Sequence, residues 1–219
     1  MLFRFFLVTI TLLLAASPSL ADNEEKVYVS LSGTLNLAAD MELRSQNGAL
    51  NTTLNQNDAV IENKAGVGFS HSVGYKFESG LRADMEFAFR EVNPDKGTSE
   101  ISGGSTTIEG DHTVKSLLAN ISYDFDWGDR LQPYVGYGVG MAWQEVDLKK
   151  FDNVDSGIAK GNAATFAYQL MLGVHMPVWD NMDLAFGYRY FGTPDPDLEN
   201  FTTELDIHSL EIGIRYYFE

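Results

Sequence analysis

Residues 65–77 read AGVGFSHSVGYKF, and this stretch decides the fold class. Most of its odd positions carry large apolar side chains, whereas its even positions carry glycine, serine and one lysine. Because successive side chains of a β-strand point to opposite faces, this alternation predicts a strand with one apolar face and one small, polar face. The pattern is typical of a strand that separates lipid from the lumen of a membrane barrel.

The same alternation recurs in seven other segments of the chain. They lie at residues 27–37, 81–90, 115–125, 131–144, 166–176, 182–190 and 210–218. An even number of antiparallel strands can close on itself and leaves no unpaired edge inside the membrane. The sequence therefore predicts an all-β fold, a transmembrane antiparallel up-and-down β-barrel of eight strands.

The connections between these segments are alternately short and long. The short ones occupy residues 78–80, 126–130 and 177–181. They contain Gly, Asp or Asn, which suit tight turns. The long polar ones lie near residues 38–62, 92–113, 146–162 and 192–203. Because outer-membrane barrels have short periplasmic turns and longer extracellular connections, we expect four long extracellular loops.

The first 21 residues predict a signal peptide. The basic Arg4 precedes an almost wholly apolar run, and Ser19-Leu20-Ala21 offers the small residues that a signal peptidase requires. The apolar run is shorter than the roughly 20 residues that a membrane-spanning helix needs. We expect cleavage after Ala21, which leaves residues 22–219 as one barrel domain in the cell outer membrane of a Gram-negative bacterium.

Composition excludes several classes of function. The chain has 15 basic and 31 acidic residues, a formal net charge of −16 that disfavours a nucleic-acid partner. It has no cysteine, which excludes disulfides, thiol nucleophiles and cysteine-ligated metals. The histidines lack the close spacing to each other or to carboxylates that a tight metal site requires. We therefore predict no metal, no cofactor and no catalytic residue.

A soluble β-sandwich or a lipocalin is the alternative fold, because periodicity alone also permits the charged faces to meet solvent. A signal peptide, unequal connection lengths and an apolar last strand favour the membrane barrel instead. In that barrel the apolar faces lie against lipid, and the small and charged faces line the lumen.

Nine ionisable residues on the polar faces form the candidate site, a lumenal charge network. They are Arg82, Asp84, Glu86, Arg90, His175, Asp183, Arg189, Glu211 and Arg215. Because buried charges without partners are costly, we expect these residues to form ion pairs and hydrogen bonds with one another. An eight-stranded barrel is only wide enough for side chains to fill its interior. We interpret the network as a structural plug, with a gated ion path as the alternative.

Two histidines raise an enzymatic alternative. If the turn at 177–181 pairs the methionines that flank it, His175 lies across from Asp183. We interpret this as a lumenal ion pair rather than a catalytic dyad, because the sequence places no nucleophile beside it. Lipid-A hydrolases of the outer membrane use a His and a Ser on the barrel wall. His71 and Ser72 are adjacent, however, and so point to opposite faces of their strand.

Three stretches carry a family resemblance: QPYVGYGVG at 132–140, FAYQ at 166–169 and GYRYFGT at 187–193. They resemble strands of the surface-antigen and opacity-type outer-membrane barrels of alphaproteobacteria, in particular the surface antigens of rickettsia-like intracellular bacteria. The resemblance covers most strands and implies surface location and antigenicity, but it brings no catalytic residue.

The end of the chain resembles a second known signal. Tyr216 and Phe218 are similar to the carboxyl-terminal insertion signal that the barrel-assembly machinery reads. Such signals usually end on the aromatic residue itself, whereas Glu219 follows here. The resemblance implies insertion by that machinery.

Three classes of function remain open from the sequence. The first is a surface antigen with a structural or adhesive role, which binds a possible host-cell surface ligand through its extracellular loops, because loops on a rigid scaffold commonly carry binding functions. The second is a narrow diffusion porin, and the third, less favoured, is a lipid-A-modifying enzyme. The expected partners are outer-membrane lipid and lipopolysaccharide, the barrel-assembly machinery and periplasmic chaperones.

Overall fold

The structure is a computed structural model. It describes residues 25–38, 41–45, 58–99, 105–127, 130–151, 159–194, 197–198, 201–202 and 205–218. In these ranges all the regular secondary structure is β-strand. None of the described residues forms a helix long and apolar enough to cross a membrane. The predicted signal peptide at residues 1–21 lies outside the described residues.

The described ranges contain twelve strands. In chain order they are β1 (Lys26–Ala38), β2 (Met41–Ser45), β3 (Asp58–Lys64), β4 (Gly66–Lys76), β5 (Leu81–Ser99), β6 (Ser105–Asp124), β7 (Gln132–Phe151), β8 (Ala159–Trp179), β9 (Met182–Thr193), β10 (Asp197–Leu198), β11 (Phe201–Thr202) and β12 (Leu205–Tyr217).

Eight of these strands form a closed antiparallel barrel. Around the ring, β1 is followed by β4, β5, β6, β7, β8, β9 and β12, and β12 pairs again with β1. The closing pair runs from Tyr28 opposite Tyr217 to Ala38 opposite Ile207. Because every barrel strand has a partner on both sides, the barrel presents no open backbone edge to lipid. The predicted eight-stranded up-and-down barrel is confirmed.

The two faces of the strands differ as the alternation predicts. Outward Val67, Leu170 and Ile212 are 59%, 50% and 57% exposed, as side chains in contact with lipid are. Inward Arg82 and Arg90 are each only 2% exposed. Inner glycines make room for other long side chains, since a Cβ at Gly74 would meet the Tyr28 ring. The charged face therefore lines the lumen.

One end of the barrel, which we call the turn end, is closed by short connections. The turn between β4 and β5 depends on Gly80, whose φ of 83° lies in the left-handed region that glycine adopts without strain. This turn sets Lys76 opposite Arg82 and Ser72 opposite Glu86, the pairing that the sequence predicts.

The turn between β8 and β9 is shorter than predicted. β8 continues to Trp179, so two residues form the turn in place of five. His175 therefore lies opposite Ala185, and the predicted pairing of His175 with Asp183 is wrong. The register also shifts between Pro177 and Trp179. Such a bulge inserts an extra residue into one strand, and the alternation of side chains alone does not locate it.

At the opposite end, the loop end, the strands extend further than the sequence predicts. The β5–β6 hairpin continues to Ser99 and resumes at Ser105, inside the stretch 92–113 that the pattern assigns to a loop. The β7–β8 hairpin likewise extends into residues 146–162. Both stretches, predicted as loops, therefore contain paired strands. The sequence analysis recognises a strand by its apolar alternation, and a strand that does not separate lipid from a lumen needs no such alternation.

Four short strands extend this wall around the loop end. β3 pairs with the distal part of β5, β2 with β3, β11 with β2 and β10 with β11. β10 in turn lies close to β8. The stretch 38–62, predicted as a loop, thus contributes two strands to a second tier of the wall. In this tier β5 to β8 continue, and the short strands β2, β3, β10 and β11 take the places of β1, β4, β9 and β12.

Strand length shows how far this tier projects. β5 to β8 have 19 to 21 residues, against 11 to 13 in β1, β4, β9 and β12. A tilted strand needs about 9–11 residues to cross a bilayer. About half of each long strand therefore extends beyond the membrane at the loop end.

Candidate functional site

The most connected part of the lumen centres on Glu86 of β5 and Arg189 of β9. Arg189 Nη1 donates to the two Glu86 oxygens at 2.5 and 2.6 Å, and its Nη2 donates to Glu211 Oε2 at 2.6 Å. Arg90 Nη2 lies 3.8 Å from Glu86 Oε1. Gln169 Nε2 donates to Glu86 at 3.2 Å, and its Oε1 accepts from Arg189 at 2.9 Å. Two carboxylates thus compensate two buried guanidinium groups.

Nearer the turn end, a second group of charges surrounds Arg82. Arg82 Nε donates to both Asp124 oxygens at 2.9 Å, and its Nη2 lies 2.8 Å from Asp124 Oδ1. Asp84 instead accepts hydrogen bonds from the Tyr28 hydroxyl and from the Asn120 amide, each at 2.7 Å. Neutral donors, not cations, therefore hold the Asp84 carboxylate.

Arg215 and Asp183 face each other across β12 and β9 at the same end of the lumen. Asp183 accepts from the Tyr217 hydroxyl at 2.8 Å, and Arg215 Nη1 donates to that hydroxyl oxygen at 3.5 Å. The Arg215 guanidinium lies 4.7 Å from the centre of the Tyr28 ring, a cation–π contact. Arg215 is 6% exposed and forms no ion pair with a described residue. It is the least compensated arginine of the network.

His175 lies beside cations rather than beside Asp183. Arg82 Nη2 is 3.2 Å from His175 Nε2, and the imidazole stacks on Tyr134 with ring centroids 4.4 Å apart. Because a guanidinium only donates, Nε2 accepts, and the neutral ring carries its hydrogen on Nδ1. That buried Nδ1 has no hydrogen-bond partner among the described residues. The geometry lacks the carboxylate that would orient a catalytic base.

Toward the loop end the lumen changes from charged to apolar. We call this apolar layer the collar. Its members are Val92, Val114, Leu118, Phe191, Leu205 and Ile207, each 0–1% exposed. Arg90 marks the boundary, because its guanidinium lies 4.3 Å from the centre of the Phe191 ring. The charge network and the collar together leave little open space inside the barrel.

A short polar chain lies next to the collar. His112 Nε2 and Gln144 Oε1 are 3.1 Å apart, and Gln144 Nε2 donates to Thr193 Oγ1 at 3.1 Å. These side chains are 1–3% exposed, so they fill the lumen as the collar does.

The structure adds several residues that the sequence analysis leaves out of the network. They are Tyr28, Ser116, Asn120, Asp124, Tyr134, Gln169 and Tyr217. The tyrosines were missed because a large aromatic ring suggests the lipid face. Inner glycines offer a signal for them: a Cβ at Gly74 would meet the Tyr28 ring, and one at Gly173 would meet the Tyr134 ring.

The turn end of the lumen opens into a cavity of about 690 Å³, which we call the vestibule. Lys26, Lys76, Asp124, Asp183 and Tyr217 are among the residues that line it. Lys76 Nζ lies 3.8 Å from Asp124 Oδ2, so the vestibule carries both signs of charge. Deeper in the barrel, a much smaller cavity of about 30 Å³ remains inside the charge network.

The arrangement is suited to filling a barrel. Within the described ranges, no three His, Asp or Glu side chains come together in a way that could hold a metal ion. His71 lies between Leu31 and Phe87 on the outer face. Ser72 points inward, where its hydroxyl lies 2.7 Å from that of Ser30. His71 and Ser72 therefore do not meet.

A closed barrel with a filled lumen can now be compared with known proteins. The chain matches the family described as "Outer membrane protein beta-barrel domain" over residues 6–218. It belongs to this family. The match includes every strand of the outer-membrane barrel, which places the protein in the cell outer membrane. The turn end accordingly faces the periplasm, and the loop end faces the outside.

The outer-membrane barrel is also similar to individual proteins. It is 28% identical over 200 residues to an "Outer membrane protein" of Gluconacetobacter diazotrophicus, a match that covers 83% of this chain and 51% of that protein. The chain thus spans about half the length of this relative. It is 29% identical over 185 residues to the "Opacity protein opA65" of Neisseria gonorrhoeae, covering 67% and 76%. The predicted resemblance to opacity-type barrels is confirmed.

Solved structures share the fold. The outer-membrane barrel matches the crystal structure of Neisserial surface protein A with a TM-score of 0.56 and 19% identity, covering 90% of this chain and 100% of that one. It matches OprG from Pseudomonas aeruginosa with a TM-score of 0.54 and 14% identity, covering 89% and 96%. At these identities the likeness shows the fold alone.

Tyr216 and Phe218, the predicted insertion signal, end the last strand of the outer-membrane barrel. Tyr216 points outward and is 41% exposed, and its ring packs edge-to-face with Phe218 at 5.2 Å. The Phe218 N–H donates to the Val27 carbonyl at 2.9 Å, which ties the end of the chain to β1. Their recognition by the barrel-assembly machinery stays a prediction.

Proposed function

We propose that this outer-membrane barrel is a non-enzymatic surface antigen with a structural or adhesive role. It binds its partners through its extracellular loops while its lumen stays closed. The observation that carries the proposal is the contrast between a filled lumen and a loop end that extends far beyond the membrane. A protein that transports solutes needs an open lumen instead.

The distribution of charge supports this role. In the lumen and vestibule, four arginines and two lysines face eight carboxylates, so these groups nearly cancel. Most of the formal charge of −16 therefore comes from the rest of the chain. The four stretches 38–62, 92–113, 146–162 and 192–203 alone contain fourteen acidic and five basic residues. A partner that approaches the loop end meets negative charge, which favours a cationic host-cell ligand.

Loop shortening tests the proposal. Replacing residues 40–62 by a tight turn removes β2 and most of β3, and replacing residues 94–111 removes the distal β5–β6 hairpin. Both changes leave the membrane part of each barrel strand in place. The variants should still fold, because changes of loop length cost little. They should lose antibody recognition of whole cells and attachment to host cells.

Two controls accompany this experiment. Folding is checked by the difference in gel mobility between unboiled and boiled samples, which a closed barrel gives. Glu145→Gln, at the exposed ion pair with Lys115, alters one charge outside the shortened stretches and should keep full attachment. A folded barrel that lacks both stretches and still attaches fully contradicts the adhesive role.

The two other classes make different predictions. A narrow diffusion porin gives steady conductance in planar bilayers, whereas a lumen filled by the network and collar gives none. A lipid-A-modifying enzyme changes the mass of lipid A when it is expressed, and the proposed surface antigen leaves it unchanged.

The proposal also includes partners during assembly. The signal peptide at residues 1–21 directs export, periplasmic chaperones hold the unfolded chain, and the barrel-assembly machinery reads Tyr216 and Phe218. Lipopolysaccharide and outer-membrane lipid then surround the apolar outer face. Cleavage after Ala21 removes Arg4 and no acidic residue. N-terminal sequencing of protein extracted from membranes should therefore begin at Asp22.

A further inference from the structure

We propose that the lower lumen binds a small monatomic anion such as chloride between Arg215 and His175. Both side chains line the enclosed cavity of about 30 Å³ in the charge network. Both are deeply buried, with exposures of 6% and 1%. The site is separate from the extracellular loops that carry the proposed function.

Two residues that line this cavity each carry an unpaired hydrogen-bond donor. Arg215 Nε and His175 Nδ1 are buried without a hydrogen-bond partner among the described residues. Nδ1 carries the imidazole hydrogen, because Nε2 accepts from Arg82. The guanidinium of Arg215 makes one long hydrogen bond, of 3.5 Å to Tyr217, although it has five N–H groups. These N–H donors need a hydrogen-bond acceptor in the cavity.

The carboxylates that line the same cavity are held elsewhere. Glu86 and Glu211 both accept from Arg189, and Asp84 accepts from Tyr28 and Asn120. None of these carboxylates forms an ion pair with Arg215 in the part of the chain that the structure describes. Asp183 faces Arg215 across β12 and β9, but it accepts from the Tyr217 hydroxyl and forms no direct ion pair with the guanidinium. A buried charge in that position is costly unless an anion lies beside it.

The charged groups that act on His175 are positive. Arg215, Arg82 and Lys76 all act on His175 as nearby positive charges. A cavity needs about 10–15 Å³ to hold one water molecule, so this cavity has room for one or two particles of that size. A halide ion is only slightly larger than water, whereas sulfate and organic anions are too large.

Crystals of the full-length folded barrel grown in sodium bromide test the site directly, because bromide scatters anomalously. We expect one anomalous peak inside the barrel, in contact with the Arg215 guanidinium and His175 Nδ1. An ordered water with no anomalous signal at this position would overturn the proposal.

A solution measurement separates a bound anion from an adventitious ion only. The midpoint temperature of barrel unfolding, read from gel mobility, is compared in sodium chloride and sodium gluconate of equal ionic strength. Chloride should raise the midpoint by at least about 2 °C, since a ligand of the folded state stabilises it. Equal midpoints in the two salts would overturn the proposal even if a bromide peak is present.

Variants assign the effect to this cavity. Arg215→Gln should abolish the difference between chloride and gluconate, and Lys115→Gln, which removes a cation on the outer surface, should retain it. If Arg215→Gln fails to fold, His175→Phe removes the Nδ1 donor and keeps a ring against Tyr134. A full chloride effect in the folded variant would contradict the assignment to Arg215 and His175.

Discussion

The charge network and the collar fill the same lumen by different means. In the network, Glu86 and Arg189 are buried because each meets opposite charge at 2.5–2.6 Å. In the collar, Leu118 and Phe191 are equally inaccessible, but their side chains carry no charge, and the Arg90 guanidinium lies over the Phe191 ring. Both regions exclude water, so burial alone does not distinguish them. They differ in what a substitution leaves behind, an unpaired charge in one region and an empty volume in the other.

This difference matters for the way each region closes the barrel. A hydrogen-bonded ion pair depends on the presence of both partners, and loss of one partner penalises the other. Apolar packing depends on volume, and loss of a few atoms leaves a cavity that partly collapses. The network therefore fixes specific contacts across the lumen, whereas the collar seals it.

The largest effect is expected from Glu86→Leu in the network. The substitution leaves Arg90 and Arg189 with one carboxylate fewer, at a cost of about 3–5 kcal/mol in the free energy of unfolding. Urea unfolding in lipid vesicles, followed by tryptophan fluorescence, measures the cost. Glu145→Gln removes the carboxylate of an exposed ion pair and serves as the control. Unchanged stability of Glu86→Leu would mean that this face of the strand meets water.

A somewhat smaller effect is expected from Leu118→Ala in the collar. It removes apolar atoms from a fully buried position, which costs about 2–5 kcal/mol according to how far the cavity collapses. The same unfolding experiment measures it. Leu210→Ala, on the lipid face at 56% exposure, should cost less because it leaves no enclosed cavity. Equal costs at the two positions would show that the collar is not closely packed.

The smallest effect is expected at the outer ion pair of Lys115 and Glu145, whose atoms are 2.9 Å apart with side chains 38% and 56% exposed. Lys115→Gln should cost about 0.2–1 kcal/mol. About 1 M salt should erase this cost, because exposed charges are screened. The cost of Glu86→Leu should persist in the same salt. If salt lowered the stability cost of Glu86→Leu, water and ions would reach the network.

The membrane part of the barrel was predictable because each strand has one face in lipid and the other in the lumen. Lipid demands apolar residues at Val67 and Ile212, and the lumen demands small or polar ones at the alternate positions, so the period of two is strong. The register of the β4–β5 hairpin followed from the short turn at Gly80. The β8–β9 register was predicted wrongly, because a bulge near Pro177 leaves the alternation on either side almost unchanged.

The candidate site was predictable only as a set of charges. Alternation indicates that Arg82, Glu86 and Arg189 point inward, but partners across a lumen come from strands far apart in the chain. Arg189 and Glu86 are 103 residues apart, and no local pattern links them. The inward position of Tyr28 and Tyr134 is not predictable from the alternation, because an aromatic ring fits both the lipid face and the lumen, and the choice depends on the glycines opposite.

The all-β class, the alternation of faces, the order of strands and the unequal connections could be predicted from the sequence. Each of these follows from local chemistry, namely the two-residue period of a strand and the transfer of side chains between water and lipid. The pairing of charges, the apolar layer of the lumen and the continuation of the strands beyond the membrane became visible in the folded barrel. Those features depend on distances between residues that the closure of the barrel brings together, and no stretch of sequence contains such distances.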